Sequence, residues 1–163
     1  MKKTILIIGL AVVILAGGLL YFYQHSQDVK VALTNSDFEI AGVKIGASQD
    51  DVQKILGEPT AKKNSGNNDT KYETWQYPDL TVVFMITGDN QSFVNSITVT
   101  GQKYQTYRGI KVGDSSQSIK AKYGKKGQQS ENFYVYKESF VHMIEFVVDN
   151  GKTTAIIIAK LAK

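Results

Sequence analysis

Cysteine is absent from the 163 residues, and histidine occurs only twice, at His25 and His142. The first absence excludes disulfides, thiol catalysis, thiolate zinc sites and the acylated cysteine of a lipoprotein. The second leaves too few imidazoles for an ordinary zinc centre, so no metal and no cofactor are expected. Attachment to a membrane, if there is any, has to come from the polypeptide itself. A chain of this length has room for an anchor plus one modest domain, or plus two half-sized units that share a core.

Charge is missing from one long stretch. Lys2 and Lys3 precede residues 4–27, which carry none, and the next charge is Asp28. As a helix, the nineteen residues 5–23 would span about 28 Å at ~1.5 Å per residue, close to the ~30 Å hydrocarbon core. Twelve of them are Leu, Ile, Val or Phe, giving on the order of −4 to −7 kcal/mol for insertion. The two lysines place the N-terminus in the cytoplasm and everything after Gln24 outside, with Tyr21, Phe22 and Tyr23 at the outer interface. The expectation is a transmembrane anchor over residues 1–23 and a tether over 24–37, in which Val29, Val31 and Leu33 alternate and could add an edge strand. This makes a single-pass cell-membrane protein with an extracellular C-terminal part. A cleaved signal peptide is the alternative, since Ala16-Gly17-Gly18 sets small residues two apart. Against it, the A-x-A form is lacking and the apolar run continues through Leu19, Leu20 and Phe22.

The formal charge of +4 invites a nucleic-acid reading, but two of those charges are the N-terminal lysines. Residues 38–104 hold six basic and eight acidic residues, whereas 105–163 hold ten basic and five acidic. The second half alone is basic, and no nucleic-acid partner is expected.

The strongest internal signal is a repetition. Gly42-Val43-Lys44-Ile45-Gly46-Ala47-Ser48, ending in Leu56-Gly57, returns 67 residues later as Gly109-Ile110-Lys111-Val112-Gly113-Asp114-Ser115, ending in Tyr123-Gly124; five of sixteen aligned positions are identical. Ser48 and Ser115 stand where N-caps belong, and Gly57 and Gly124 where a left-handed residue ends a helix. This predicts short helices over 49–56 and 116–123, followed by polar loops (Thr60 to Lys71, and Lys125 to Glu131) and then strands. Leu80, Val82, Phe84 and Ile86 alternate with Thr81, Val83, Met85 and Thr87; Phe140, His142, Ile144, Phe146 and Val148 alternate with Val141, Met143, Glu145 and Val147. Asp89-Asn90 and Asp149-Asn150-Gly151 read as hairpin turns leading to last strands near 93–100 and 153–160. The expected class is α+β: a tandem repeat of 38–104 and 105–163, each unit a short helix and an antiparallel meander of about three strands, preceded by the transmembrane helix.

This doubled pattern resembles the CAP-associated N-terminal domain of Gram-positive extracytoplasmic proteins. More distantly it resembles the tandem architecture of β-lactamase inhibitory proteins and the single-unit fold of the outer-membrane assembly lipoproteins. The resemblance covers about residues 38–160. It implies a binding or scaffolding module and transfers no catalytic residue, because the matching positions are caps, turns and core. In that family the region commonly precedes a CAP domain, for which no room follows here.

The residues themselves give little chemistry. Asp50 and Asp51 fall in a first helical turn, where the dipole favours negative charge. The paired glycines lack the Gly-Lys-Ser/Thr of a phosphate loop. His142 lies on the more apolar face of its strand, and no catalytic residue is expected. Trp75, Tyr77, Tyr134 and Tyr136 occupy equivalent places and read either as core or as a ligand surface. Lys120, Lys122, Lys125 and Lys126 form either a solvated face or a contact for anionic headgroups or wall polymers. The candidate surface joins those four lysines to the sheet face away from the helices, carrying Thr81, Val83, Met85 and Met143 and flanked by Ser96, Thr98 and Thr100. The expected function is non-catalytic: a membrane-anchored extracytoplasmic module that binds a protein or an anionic envelope polymer. The alternative is a secreted inhibitor of an extracellular enzyme.

Overall fold

The computed structural model describes residues 32–67, 70–89, 91–124, 128–130, 132–138 and 141–161. The two glycine-serine blocks fold alike because both use each residue type in the same way. The Ser48 hydroxyl accepts the Asp51 N–H and opens α1 (Gln49–Leu56); the Ser115 hydroxyl accepts the Ser118 N–H and opens α2 (Ser116–Tyr123). Such a cap contributes about 1 kcal/mol. Gly57 (φ 77°) and Gly124 (φ 88°) close the helices in a conformation that side chains disfavour. Ahead of the helices, the N–H groups of Gly46 and Gly113 donate to the carbonyls of Val94 and Thr153, each at 2.8 Å, and Val94 and Thr153 return bonds to Ala47 and Asp114. Behind them, the Tyr77 and Tyr136 hydroxyls donate to the Gly57 and Gly124 carbonyls, at 3.2 and 2.8 Å.

The strands are β1 (Glu39–Ile40), β2 (Val43–Lys44), β3 (Ala61–Gly66), β4 (Lys71–Tyr77), β5 (Leu80–Ile86), β6 (Ser92–Val99), β7 (Gln128–Gln129), β8 (Phe133–Glu138), β9 (His142–Asp149) and β10 (Lys152–Lys160). β1 and β2 form a small hairpin; the other eight make one antiparallel sheet in the order β3-β4-β5-β6-β10-β9-β8-β7. The two meanders thus meet at the centre, where Ile156 pairs with Val99 and Ile158 with Ile97. Both helices lie over one face of this sheet. Val52 of α1, with Ile119 and Tyr123 of α2, joins Trp75, Val82, Phe84, Ile97, Phe146 and Ile156 in a single cluster. The Tyr123 ring packs 4.9 Å from Phe146, and Trp75 meets Phe84 edge-on at 4.8 Å.

The expected α+β class is corrected. Two eight-residue helices against ten strands make the described chain mainly β. The difference arises in the segments read as polar loops, which contain β3 and β7. All six residues of β3 are exposed, so it carries no apolar alternation to reveal it. Its order comes from its ladder to β4 and from the Lys62 ammonium 4.2 Å over the Trp75 ring. Each meander therefore has four strands, not three. The anchor expected over residues 1–23 lies outside the described residues, as does the tether up to residue 31 with Val29 and Val31. Among the described residues no helix is long and apolar enough to cross a membrane.

From Ala32 the chain is held to the fold. Leu33 and Phe38 are buried in the core, and Asp37 forms a two-pronged ion pair with Arg108, at 2.6 and 2.8 Å. Arg108 also donates to the Ala32 carbonyl at 2.9 Å and to the Lys122 carbonyl at 3.2 Å, and lies 4.8 Å over the Tyr123 ring. One guanidinium thereby ties the start of the described chain to the second half.

Candidate interaction surface

The sheet register decides which side chains share the face away from the helices. One row crosses six strands as Gln76, Thr81, Thr98, Ile157, Glu145 and Val135; the next runs Thr74, Val83, Ser96, Ala159, Met143 and Lys137. Thr81, Val83, Met85 and Met143 are therefore brought to one face. They are not equally open: Thr81, Val83 and Met85 are half-buried, whereas Met143 is buried, packed with Val135 and Ala159 beside Phe133 and Leu161. Ser96 and Thr98 are buried too, while Thr100 is exposed. Every buried side chain contributed by a helix or by the β1–β2 hairpin belongs to the other face.

Lys120 and Lys122 belong to α2, on the other side of the sheet. Lys120 lies 5.3 Å over the Tyr134 ring, and Tyr134 belongs to the helix-side core. Lys122 is exposed on the same helix, and Lys125 and Lys126 lie outside the described residues. Trp75, Tyr134 and Tyr136 are buried in the helix-side core, with Tyr77 packed against it. They are core residues rather than a binding face.

Sequence reasoning passed over Glu145. It is 97% buried, at 3% exposure, in the middle of β9, and its Oε2 atom has no hydrogen-bond partner among the described residues. Its cross-strand neighbours are Ile157 and Val135, and its neighbours two residues away on the same face are Met143 and Val147. Burial alone raises its carboxyl from the ordinary 4.5 to about 7. The available signal was its parity: a lone acid among Met143, Val147, Ile157 and Val135, on the face opposite the helices.

The charged groups at the other end of β9 have partners. A cleft of about 300 Å³ lies beside His142, Phe38, Glu39 and Lys44. Lys44 pairs with Glu39 at 3.6 Å, and His142 stacks on Phe38 at 4.9 Å with its Nδ1 atom 3.6 Å from Glu138. Among the described residues no three His, Asp or Glu side chains converge to hold a metal ion. Asp37 is buried like Glu145 but partnered. Burial pushes its carboxyl up, and the hydrogen bonds from Arg108 and Thr34 together with the Arg108 charge outweigh that and hold it below the ordinary value.

No protein-family model matches the sequence, and no curated protein is similar to it. The fold is similar to that of an extracellular protein containing an SCP domain from Bacillus anthracis, with TM-score 0.52, 10% identity, and 83% of this chain and 50% of that one covered. It is similar also to a cysteine-rich secretory protein from Staphylococcus aureus, with TM-score 0.56, 13% identity, and 82% and 50% covered. The chain thus spans about half the length of each. A β-lactamase inhibitor-like protein from Streptococcus mutans superimposes more loosely, with TM-score 0.30, 16% identity, and 88% and 95% covered. These are likenesses of fold. They do not make this chain a member of the CAP-associated family.

Proposed function

We propose that this chain is a non-catalytic binding module of the cell envelope, attached to the membrane through residues 5–23 and displaying the sheet on the extracytoplasmic side. The observation that carries the reading is the face away from the helices. It holds an apolar patch around Met143 and the buried Glu145, whose Oε2 atom has no hydrogen-bond partner among the described residues, with half-buried Thr81, Val83 and Met85 on the same face. Apolar area bordered by hydroxyls suits a protein partner, and methionine adapts to irregular shapes. The two lysines that open the chain and the uncharged stretch behind them support the topology. Fold likeness to extracellular proteins points to the same compartment.

The test is fractionation of cells producing the full chain, followed by external proteolysis after wall removal. The protein should stay with the membrane through high-salt and carbonate washing, and the protease should remove residues after Gln24. A shortened form in the medium as the main species would overturn the anchor and favour a secreted inhibitor.

A further inference from the structure

We infer that Glu145 is the acceptor for an arginine side chain that a protein partner inserts into the sheet face away from the helices. This rests on the reading of that face as the binding surface, and it assigns the face a partner chemistry. A carboxyl in the middle of a strand, with Ile157 and Val135 across from it, contributes nothing to packing that methionine or leucine would not do better. Its Oε2 atom meets no donor, and a buried acceptor without a donor destabilises the fold that carries it. Asp37 shows what this chain does with a buried carboxylate that serves the fold: it receives two bonds from Arg108 and one from the Thr34 N–H. Glu145 receives no such partner.

The charged groups around it do not fill the gap. On this face of β6, β8, β9 and β10 the other charged side chains among the described residues are the paired Asp149 and Lys152 at the strand ends, four residues along β9 from Glu145, and Lys137. Lys137 stands opposite Met143, one pair away from Glu145, and burial is the sole cause of the raised Glu145 carboxyl. On β6 and β10 the neighbours are Ser96, Thr98, Ala155, Ile157 and Ala159, none ionisable. One carboxylate is too few ligands for a divalent cation. A guanidinium fits better than an ammonium because it is weakly hydrated, keeps its charge when desolvated, and can lie flat against Met143 and Ile157 while bonding in the plane. Arginine is also enriched among residues that anchor interfaces, where a surrounding apolar rim excludes water. Entry requires neighbouring side chains to move, and flexible Met143 is two residues away.

The probe is a displayed library of random dodecapeptides, panned at pH 8 on the full-length protein in lipid nanodiscs. Binders are then examined by the Met143 methyl and Glu145 carboxyl resonances of the labelled protein. The expected result is enrichment of arginine among peptides that shift the Met143 methyl, with the Glu145 titration moving to lower pH in their presence. Affinity should fall about 30-fold from pH 8 to pH 5.5 as the carboxylate is protonated. Replacing the arginine by citrulline, or Glu145 by Gln in a variant with native circular dichroism, should abolish that pH dependence. Peptides that shift Met143 equally well without arginine, or with the E145Q variant, overturn the inference and leave the surface reading standing. If no selected peptide shifts Met143, both fail.

Discussion

Replacing Arg108 with alanine is expected to cost about 3 kcal/mol of stability or more, because it strands a carboxylate that the fold has removed from water. The Asp37 side chain has no exposure, whereas that of Arg108 retains 23%, so the loss belongs near the lower end of the 3–5 kcal/mol typical of breaking a buried pair. The same change frees the Ala32 carbonyl and removes the cation over Tyr123. Urea denaturation of the full chain in nanodiscs measures it. Arg108→Met combined with Asp37→Asn should recover much of the loss, since no charge is then left buried and the asparagine oxygen can still accept the Thr34 N–H. The acid limb gives an independent check. The Asp37 carboxyl lies below its ordinary value in the fold, so its stabilisation is complete above about pH 4 and disappears as pH falls through the lowered folded value. Arg108→Ala should flatten that limb. An Arg108→Ala variant within 1 kcal/mol of the parent at pH 7, estimated against that ~3 kcal/mol, would show that the pair does not hold the N-terminal segment.

Glu145 works in the opposite direction. Its folded value is raised from 4.5 to about 7, so the folded chain binds more protons than the unfolded one between those limits. Stability therefore declines as pH rises through that window and levels off above about 7, for a total of about 3 kcal/mol at ~1.4 kcal/mol per unit. Glu145→Met replaces the carboxyl with an apolar chain of similar length. It should stabilise the protein at pH 8 by about 3 kcal/mol more than it does near pH 4. Thermal unfolding of parent and variant across that range measures the difference. An equal effect at both pH values would mean that Glu145 is not held away from water. A gain at pH 8 marks a residue kept for something other than stability, as expected at a binding surface.

Much of this architecture is legible in the sequence, and each gap has a physical cause. The helices begin and end where Ser48, Ser115, Gly57 and Gly124 indicate, because caps and left-handed glycines are local in origin. Leu80, Val82 and Phe84 are buried as their alternation implies. The Asp149-Asn150-Gly151 turn forms with positive φ at Asn150 and Gly151. Ala61–Gly66 escaped because an edge strand exposed on both faces needs no apolar residue; its stabilisation is a ladder to β4, from Gly66 opposite Lys71 to Ala61 opposite Gln76. Met143 read as open because alternation gives only its face, and its burial depends on Val135 and Ala159, contributed by other strands. The lysines of α2 separated from the sheet surface for a related reason. Charge clustering along a chain does not say which side of a sheet the helix covers. Asp37 and Arg108 are 71 residues apart, beyond the reach of any local pattern.

The most direct measurement of the surface assignment is site-specific photocrosslinking in living cells, comparing positions on opposite sides of the molecule. A photoreactive residue at Thr81 or Val83, both half-buried on the face away from the helices, is set against one at Lys54, exposed on α1. The binding-module reading predicts a discrete protein adduct from Thr81 or Val83 and none from Lys54, with each variant retaining the parent's unfolding temperature. Adducts confined to Lys54, or formed equally from both sides, would contradict it.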